Sequence, residues 1–351
     1  MALKFLTQEG REEMRTRWQE RLSNRKGKSR LALWSLGGIL AAYTLICTVL
    51  GVWWSIEPDT FAPRGTALHH AQTRGHQDAV GYTTTFTLMR MGETLLEKSG
   101  GFITNDVMPP GAFLDNIGNW EFGVLTQIRD MSRAMRLDFS RSQSQSAEDL
   151  DLAKAESMFF SDTTHWVLPA AEDEYGVGIR HLNSYLERLG GKGEPPAYFY
   201  PRADNLRDWL VGVANRLGSI SQRLSASVGK RALFSDAEPE GQAGPDMTFV
   251  KTPWNKIDDV FFEARGHCWA LIHLLEAVDH DFRDVLENKN ARVSLQQVIR
   301  ELEPTTRTVW SPIILNADGF GVFANHSLVM ASYISRANAA ITDLRLLLEQ
   351  G

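Results

Sequence analysis

Acidic and imidazole side chains one helical turn apart can share a proton or a metal ion, and one stretch of this chain offers several. Within TPWNKIDDVFFEARGHCWALIHLLEAVDH, Glu263 precedes His267 by four residues and Glu276 precedes His280 by four, while His273 lies seven before His280. On a helix each pair occupies one side, so metal ligation or acid–base chemistry is one reading. The other is a row of solvated or ion-paired side chains beside a packing seam. Spacing alone does not separate the two.

A second set lies near the C-terminus. Asn325, Ser332, Arg336 and Asp343 line one side of an expected helix, with His326 and Ser327 at its start. Such a stripe serves as a wet face, a buried polar network or a docking strip for a partner helix. Stronger signatures are missing: the sequence has no P-loop, G-x-S-x-G elbow, H-E-x-x-H or C-x-x-C, and no Glu-x-x-His of the kind that builds two-metal sites in bundles. Gly319, Gly321 and Ala324 fit a loose G-x-G-x-x-A, but no βαβ pattern surrounds them. No cofactor is expected.

The element that must position everything else is the run LALWSLGGILAAYTLICTVLGVWWS, Leu31 to Ser55, with no charge between Arg30 and Glu57. Its length as a helix exceeds the roughly 30 Å hydrocarbon core of a bilayer, and Trp34, Trp53 and Trp54 stand where indoles settle at interfaces. One transmembrane helix is expected over 31–55. A cleaved signal peptide fits poorly, because the leader is long, the apolar run exceeds an h-region and no A-x-A-like site closes it.

Charge divides the chain around this run. Residues 1–30 carry a net +5 and everything after Ser55 a net −11. Lys and Arg flanking a first span are retained in the cytoplasm, which predicts a basic cytoplasmic leader (1–30) and an exported C-terminal part. Arg11, Arg15, Arg21 and Arg25 could also meet anionic headgroups. The acidic balance of the exported part excludes nucleic acid as its partner. Cys47 in the span and Cys268 beyond it cannot pair, so the fold must rest on a hydrophobic core.

Residues 56–80 read as a juxtamembrane linker broken by Pro58, Pro63, Gly65 and Gly75, with His69, His70 and His76 expected to be solvated. From there to residue 351 the patterns are helical. A helix is predicted from Tyr82 to Lys98, closed by Gly100 and Gly101. The next places Ile117, Trp120, Val124, Ile128, Met131 and Met135 on one face. A short helix follows the Ser140–Asp149 polar string, with Ser146 and Asp149 resembling a capping box, and another starts at Ile179.

Three long a/d repeats complete the chain: Leu206 to Leu224, Trp254 to Val285 with Thr252-Pro253 as its start, and Phe323 to Leu348. The connection Ser235–Val250 is acidic and Gly/Pro-rich, and Val309 to Leu315 is the only short strand candidate. The fold class expected is all-α: one N-terminal transmembrane helix followed by a periplasmic helical bundle with long heptad-patterned, coiled-coil-like helices. Trp209, Trp254, Trp269 and Trp310 belong mostly to its core; an aromatic excess on one face would instead mark contact with a bilayer or a partner.

Several irregular strings, PPGAFLDNIGNWEFGVLTQIRD, SRSQSQSAEDLDLAKAE, TPWNKIDDVFFEARGHCWALIHLLEAV and SPIILNADGFGVFANHSLVMASYISRANAAITDLR, resemble a family of proteobacterial inner-membrane proteins catalogued as domain of unknown function 2333. The resemblance spans most of the chain and implies a membrane-anchored envelope protein of a Gram-negative bacterium. It brings no activity and no site residues. The expected partners are the lipid bilayer and another envelope protein or a second copy. The leading expectation is a non-enzymatic scaffold or assembly factor. The alternatives are a hydrolase or metalloprotein using Glu263, His267, His273, Glu276 and His280, and a binder of lipid or another small apolar ligand in an interhelical groove.

Overall fold

The computed structural model describes residues 8–142, 146–233, 247–311, 313–317 and 322–350. The centre of the Ser/Gln string, most of the Ser235–Val250 connection, and Gly319 and Gly321 of the glycine-rich turn lie outside the described residues. The chain divides into two compact units, Met1–Trp53 and Trp54–Gly351.

The described residues of the first unit form one helix. α1 runs without a break from Gln8 to Trp54, so the leader continues directly into the apolar run. Its portion Leu33–Trp54 is long and apolar enough to cross a membrane, and its side chains are almost entirely exposed.

The second unit is helical apart from one small hairpin, among the described residues. The expected linker 56–80 contains a regular element, α2 (Pro63–Arg74). Two of the four expected breakers delimit it: Pro63 occupies the first turn, where its missing N–H costs nothing, and Gly75 (φ 63°) closes the helix in the left-handed conformation, while Gly65 lies inside it. α3 (Tyr82–Glu97) and α4 (Asp115–Ala134) follow as expected, and the apolar face of α4 is buried throughout. The chain then widens through one π-helical turn, Met135–Phe139.

α5 (Leu150–Phe159) is capped by Asp149 itself, whose carboxylate accepts from the Asp151 and Leu152 amides; Ser146 takes no part in that cap. α6 (Ala171–Leu189) begins two turns before Ile179, because Glu172, Asp173 and Glu174 suit a helix start although they carry no hydrophobic signal. α7 (Ala203–Ser225) buries its whole predicted seam, Leu206, Leu210, Val213, Leu217, Ile220 and Leu224.

The hairpin pairs β1 (Lys230–Leu233) antiparallel with β2 (Met247–Val250). Four-residue strands leave too short an alternation to stand out in a sequence. Among the described residues of Val309 to Leu315 none is in a strand, and Asn316 next to them bridges to Asn325.

The Trp254–Val285 repeat is three elements, not one. Trp254–Lys256 form a 3-10 turn, α8 spans Ile257–Asp281 and α9 Arg283–Asn288. Trp254 leaves the seam and is 87% exposed. Pro253 therefore opens the 3-10 turn, and α8 starts at Ile257 without a side-chain cap. α10 (Arg292–Leu302), which none of the three long repeats includes, buries Leu295, Val298, Ile299 and Leu302. The last helix, α11 (His326–Glu349), omits Phe323, which is exposed.

α8 is the axis of this unit. α4, α3, α10, α7 and α2 all touch it, while α11 packs on α7 and α10, and α5 on α6. Along its centre Ala264, Cys268 and Leu271 have no accessible surface. Burial pushes the Cys268 thiol up to about 12, which leaves it inert.

Candidate functional site

Where α8 is enclosed, its polar side chains must be satisfied by its neighbours. Glu263 receives both guanidinium nitrogens of Arg223 from α7, Nη1 at 2.7 Å and Nη2 at 2.5 Å. His267, one turn on, stands 3.5 Å from Glu263 through Nε2, and its Nδ1 accepts from the Gln127 amide of α4 at 3.3 Å. That geometry defines a neutral imidazole held between two helices. The Arg223 and His267 bonds hold the Glu263 carboxyl down to about 2 against its burial. Burial lowers the His267 imidazole.

His273 belongs to a different contact. Its Nδ1–H donates to the Trp269 carbonyl at 2.6 Å, and its Nε2 accepts the Phe61 backbone N–H at 2.9 Å. The Phe61 ring stacks on the imidazole with centroids 4.1 Å apart, and Trp269 joins them to Trp120 of α4. Burial drives His273 down to about 4. The ring is a neutral strut.

His280 sits at the far end. Its Nδ1 lies 3.2 Å from Asp281 Oδ1 and 3.3 Å from Thr83 Oγ1. The other oxygen of Asp281 accepts the Thr84 amide and hydroxyl, both at 2.7 Å, and so caps the N-terminus of α3 from outside the helix. Glu276 is half-buried beside Glu303 and Asp279, and burial together with those two carboxylates raises its pKa.

The five residues therefore do not converge. Glu263 and His267 meet; His273, Glu276 and His280 each face a different neighbour. Among the described residues no three His, Cys, Asp or Glu side chains are grouped as a metal ion requires.

The C-terminal set is also divided. Asn325 is buried and caps α11, accepting the Leu328 amide at 2.8 Å while donating to the Ala317 carbonyl. Ser332, Arg336 and Asp343 are exposed. Arg336 reaches Glu301 of α10 at 2.7 Å, bonds Ser332 at 2.9 Å and lies over the Tyr333 ring. With Val329, Ala339 and Leu346, also exposed, these three complete one continuous stripe along α11 at alternating spacings of three and four.

Four polar centres gave no sequence signal, because their members are far apart in the chain. Lys98 and Glu121 form an ion pair at 2.6 Å with almost no exposed surface, and Glu121 also accepts from the Ile103 and Thr104 amides. Arg265 binds both oxygens of Glu57, at 2.7 and 2.6 Å, and the Thr305, Thr306 and Arg307 carbonyls. Arg188 holds Asp149 and Asp151. The Tyr82 hydroxyl lies 2.9 Å from Nδ1 of both His70 and His76, so these two half-buried histidines are fastened to α3 and are not free in solvent. Burial lowers both imidazoles and raises Tyr82 to about 12.

A cavity of about 720 Å³ opens at the base of α8. Ser55–Thr60, Asn116, Trp254, Phe262, Trp269, Thr306, Thr308 and Ile313 contribute to its wall. It lies among loops and helix starts instead of in an interhelical groove.

This combination defines a class: a helical bundle built around one enclosed helix, preceded by a helix apolar enough to enter a membrane. The chain belongs to the family described as uncharacterized protein conserved in bacteria (DUF2333), whose model matches residues 27–351. No curated protein and no solved structure matches it.

Proposed function

We propose that this is a single-pass inner-membrane protein whose periplasmic helical unit works by binding another envelope protein, as a scaffold or assembly factor and not as an enzyme. The observation that carries the reading is where α8 spends its ionisable side chains. Glu263, His267, His273 and His280 all bond to neighbouring elements, and each such bond ties two parts of the bundle together. Groups committed in this way hold a surface in shape; they do not leave a base beside an open reaction space.

The surface offered to a partner is the outer stripe of α11, where Val329 and Leu346 flank Ser332, Arg336 and Asp343. Two aliphatic side chains at the ends of a charged stripe suit a partner helix laid along it. The excess of Lys and Arg before the apolar run favours a cytoplasmic N-terminus, which puts this stripe in the periplasm.

Photo-crosslinking side chains at Ser332 and Asp343, activated in intact membranes and read by mass spectrometry, test the proposal. Discrete adducts that disappear in Arg336→Glu are expected. Recovery of uncrosslinked chain alone from both positions refutes it. A reporter enzyme fused after Gly351 tests the topology separately; activity confined to the cytosol contradicts it.

A further inference from the structure

Large apolar side chains left in water mark a surface that something covers. Four stand in or next to the wall of the cavity at the base of α8. Ile56 and Ile313 line it at 61% and 65% exposure, Trp254 lines it at 87%, and Trp310, between two lining residues, is 94% exposed. Two of the four are tryptophans, whose ring and N–H suit the boundary between headgroups and acyl chains.

Chain connectivity says what lies opposite. The apolar helix ends at Trp54, and the cavity wall begins at Ser55. An extended chain covers about 3.4 Å per residue, so Ile56 stands within about 7 Å of the helix end and Thr60 within about 20 Å. Neither end of this short connection is loose. Glu57 is clamped by Arg265, and the Phe61 amide by His273. A wall so tethered stays beside the point where the helix leaves the bilayer.

On this basis we infer that the face formed by Ile56, Trp254, Trp310 and Ile313 rests in the headgroup region of the adjacent lipid leaflet. The second unit is thus seated on the membrane that anchors it, and the cavity opens at the lipid surface. The inference depends on the membrane-anchored reading given above. Amphipathic surfaces of this kind enter the interface by about 5–10 Å, far enough to immerse indoles but not the helices behind them.

Nitroxide depth measurements test it on the full chain. Cys47→Ser removes the accessible native thiol; Cys268 is buried and stays. Single cysteines replace Thr308 and Ile313, which leaves both tryptophans in place, with Leu40 in the apolar helix and Val293 as references. Val293 is 72% exposed at the start of α10, the end remote from Thr306 of the cavity wall. The protein is reconstituted in phosphatidylethanolamine–phosphatidylcholine vesicles, and collision of each label with oxygen is compared with collision with a nickel chelate.

The expected oxygen-to-nickel ratio at Thr308 and Ile313 is severalfold above that at Val293, falling toward it when Trp254 and Trp310 are both replaced by Ser. Ratios equal to Val293, with Leu40 reading hydrocarbon, overturn the inference and leave the anchor standing. An aqueous reading at Leu40 overturns both. Spin–spin broadening at Ile313 without lipid depth assigns the face to a second copy of the chain, and overturns it as well.

Discussion

Gly123 of α4 and Gly266 of α8 face each other's helix at the point where the two backbones cross. A Cβ on Gly123 would meet the Glu263 carbonyl oxygen and come within 2.7 Å of the His267 amide nitrogen; one on Gly266 would meet the Trp120 carbonyl, with its carbon at 2.9 Å. Main chain, not a movable side chain, stands in the way. In an open helix Gly→Ala stabilises by about 1 kcal/mol. Here the helices must separate, so Gly123→Ala and Gly266→Ala are each expected to cost about 2–4 kcal/mol. Thermal unfolding in detergent checks it; an unchanged or raised midpoint for both contradicts the close crossing.

The Lys98–Glu121 pair predicts an asymmetry. Lys98→Met leaves a buried carboxylate that still accepts from Ile103, Thr104 and the Thr104 hydroxyl. Glu121→Ala leaves a buried ammonium and strands those donors too. Both substitutions are expected to destabilise by several kcal/mol, with Glu121→Ala the worse by about 1–3 kcal/mol. Equal midpoints in denaturant titrations would show that the donors find other partners.

Arg265 makes a comparable test for shape. It serves both Glu57 oxygens and three carbonyls between residues 305 and 307. A lysine carries the charge but not the planar fork. Arg265→Lys is expected to lose about 2–3 kcal/mol and to speed proteolytic cleavage within residues 303–314. Cleavage at the native rate would dissociate the guanidinium from the order of that segment.

Acid should weaken the fold by two routes that occupy different pH windows. His273 has its pKa lowered to about 4 in the folded chain from an ordinary 6.5. Above 6.5 it is neutral folded or unfolded; as pH falls below that, the unfolded chain takes up a proton that the folded chain refuses. Stability is lost from about 6.5 down to 4, on the order of 3 kcal/mol for this residue. His70, His76 and His267, also lowered by burial, act in the same direction. His273→Gln should therefore flatten the slope without abolishing it.

Glu263 takes over at lower pH. Its pKa is lowered to about 2 from 4.5, so its contribution is complete above 4.5 and disappears as pH falls toward 2. The deficit of Glu263→Gln relative to the native chain is expected to be present at pH 7, to shrink below pH 4.5 and to vanish near pH 2. Unfolding midpoints measured from pH 7 to 2 check both; a deficit that grows in acid contradicts the assignment.

The helical character of the chain, its apolar leading helix and the buried seams of α4, α7 and α11 were legible in the residues, because a stripe of Leu, Ile and Val at spacings of three and four can be hidden in only one way. Asp149 and Pro63 show the limit of local reading: both were noticed, yet whether a residue starts a helix or interrupts a linker depends on whether the next turn has a core to cover. The α8 acids and histidines show it more sharply. Their four-residue spacing was visible, but Arg223, Gln127, Phe61 and Thr83, which determine what each one does, come from 40 to 212 residues away.

Composition and periodicity thus determined by themselves that this chain makes helices, that one of them is apolar enough for a membrane, and which faces turn inward. Only the tertiary structure decided that Glu263 and His273 brace the bundle in separate places, that Gly123 and Gly266 let two backbones touch, and that Trp254 faces outward from the core it was expected to fill. The reason is physical: a hydrophobic stripe is a property of one segment, whereas the partner of a polar group, and the room beside a glycine, belong to whatever segment folding brings against it.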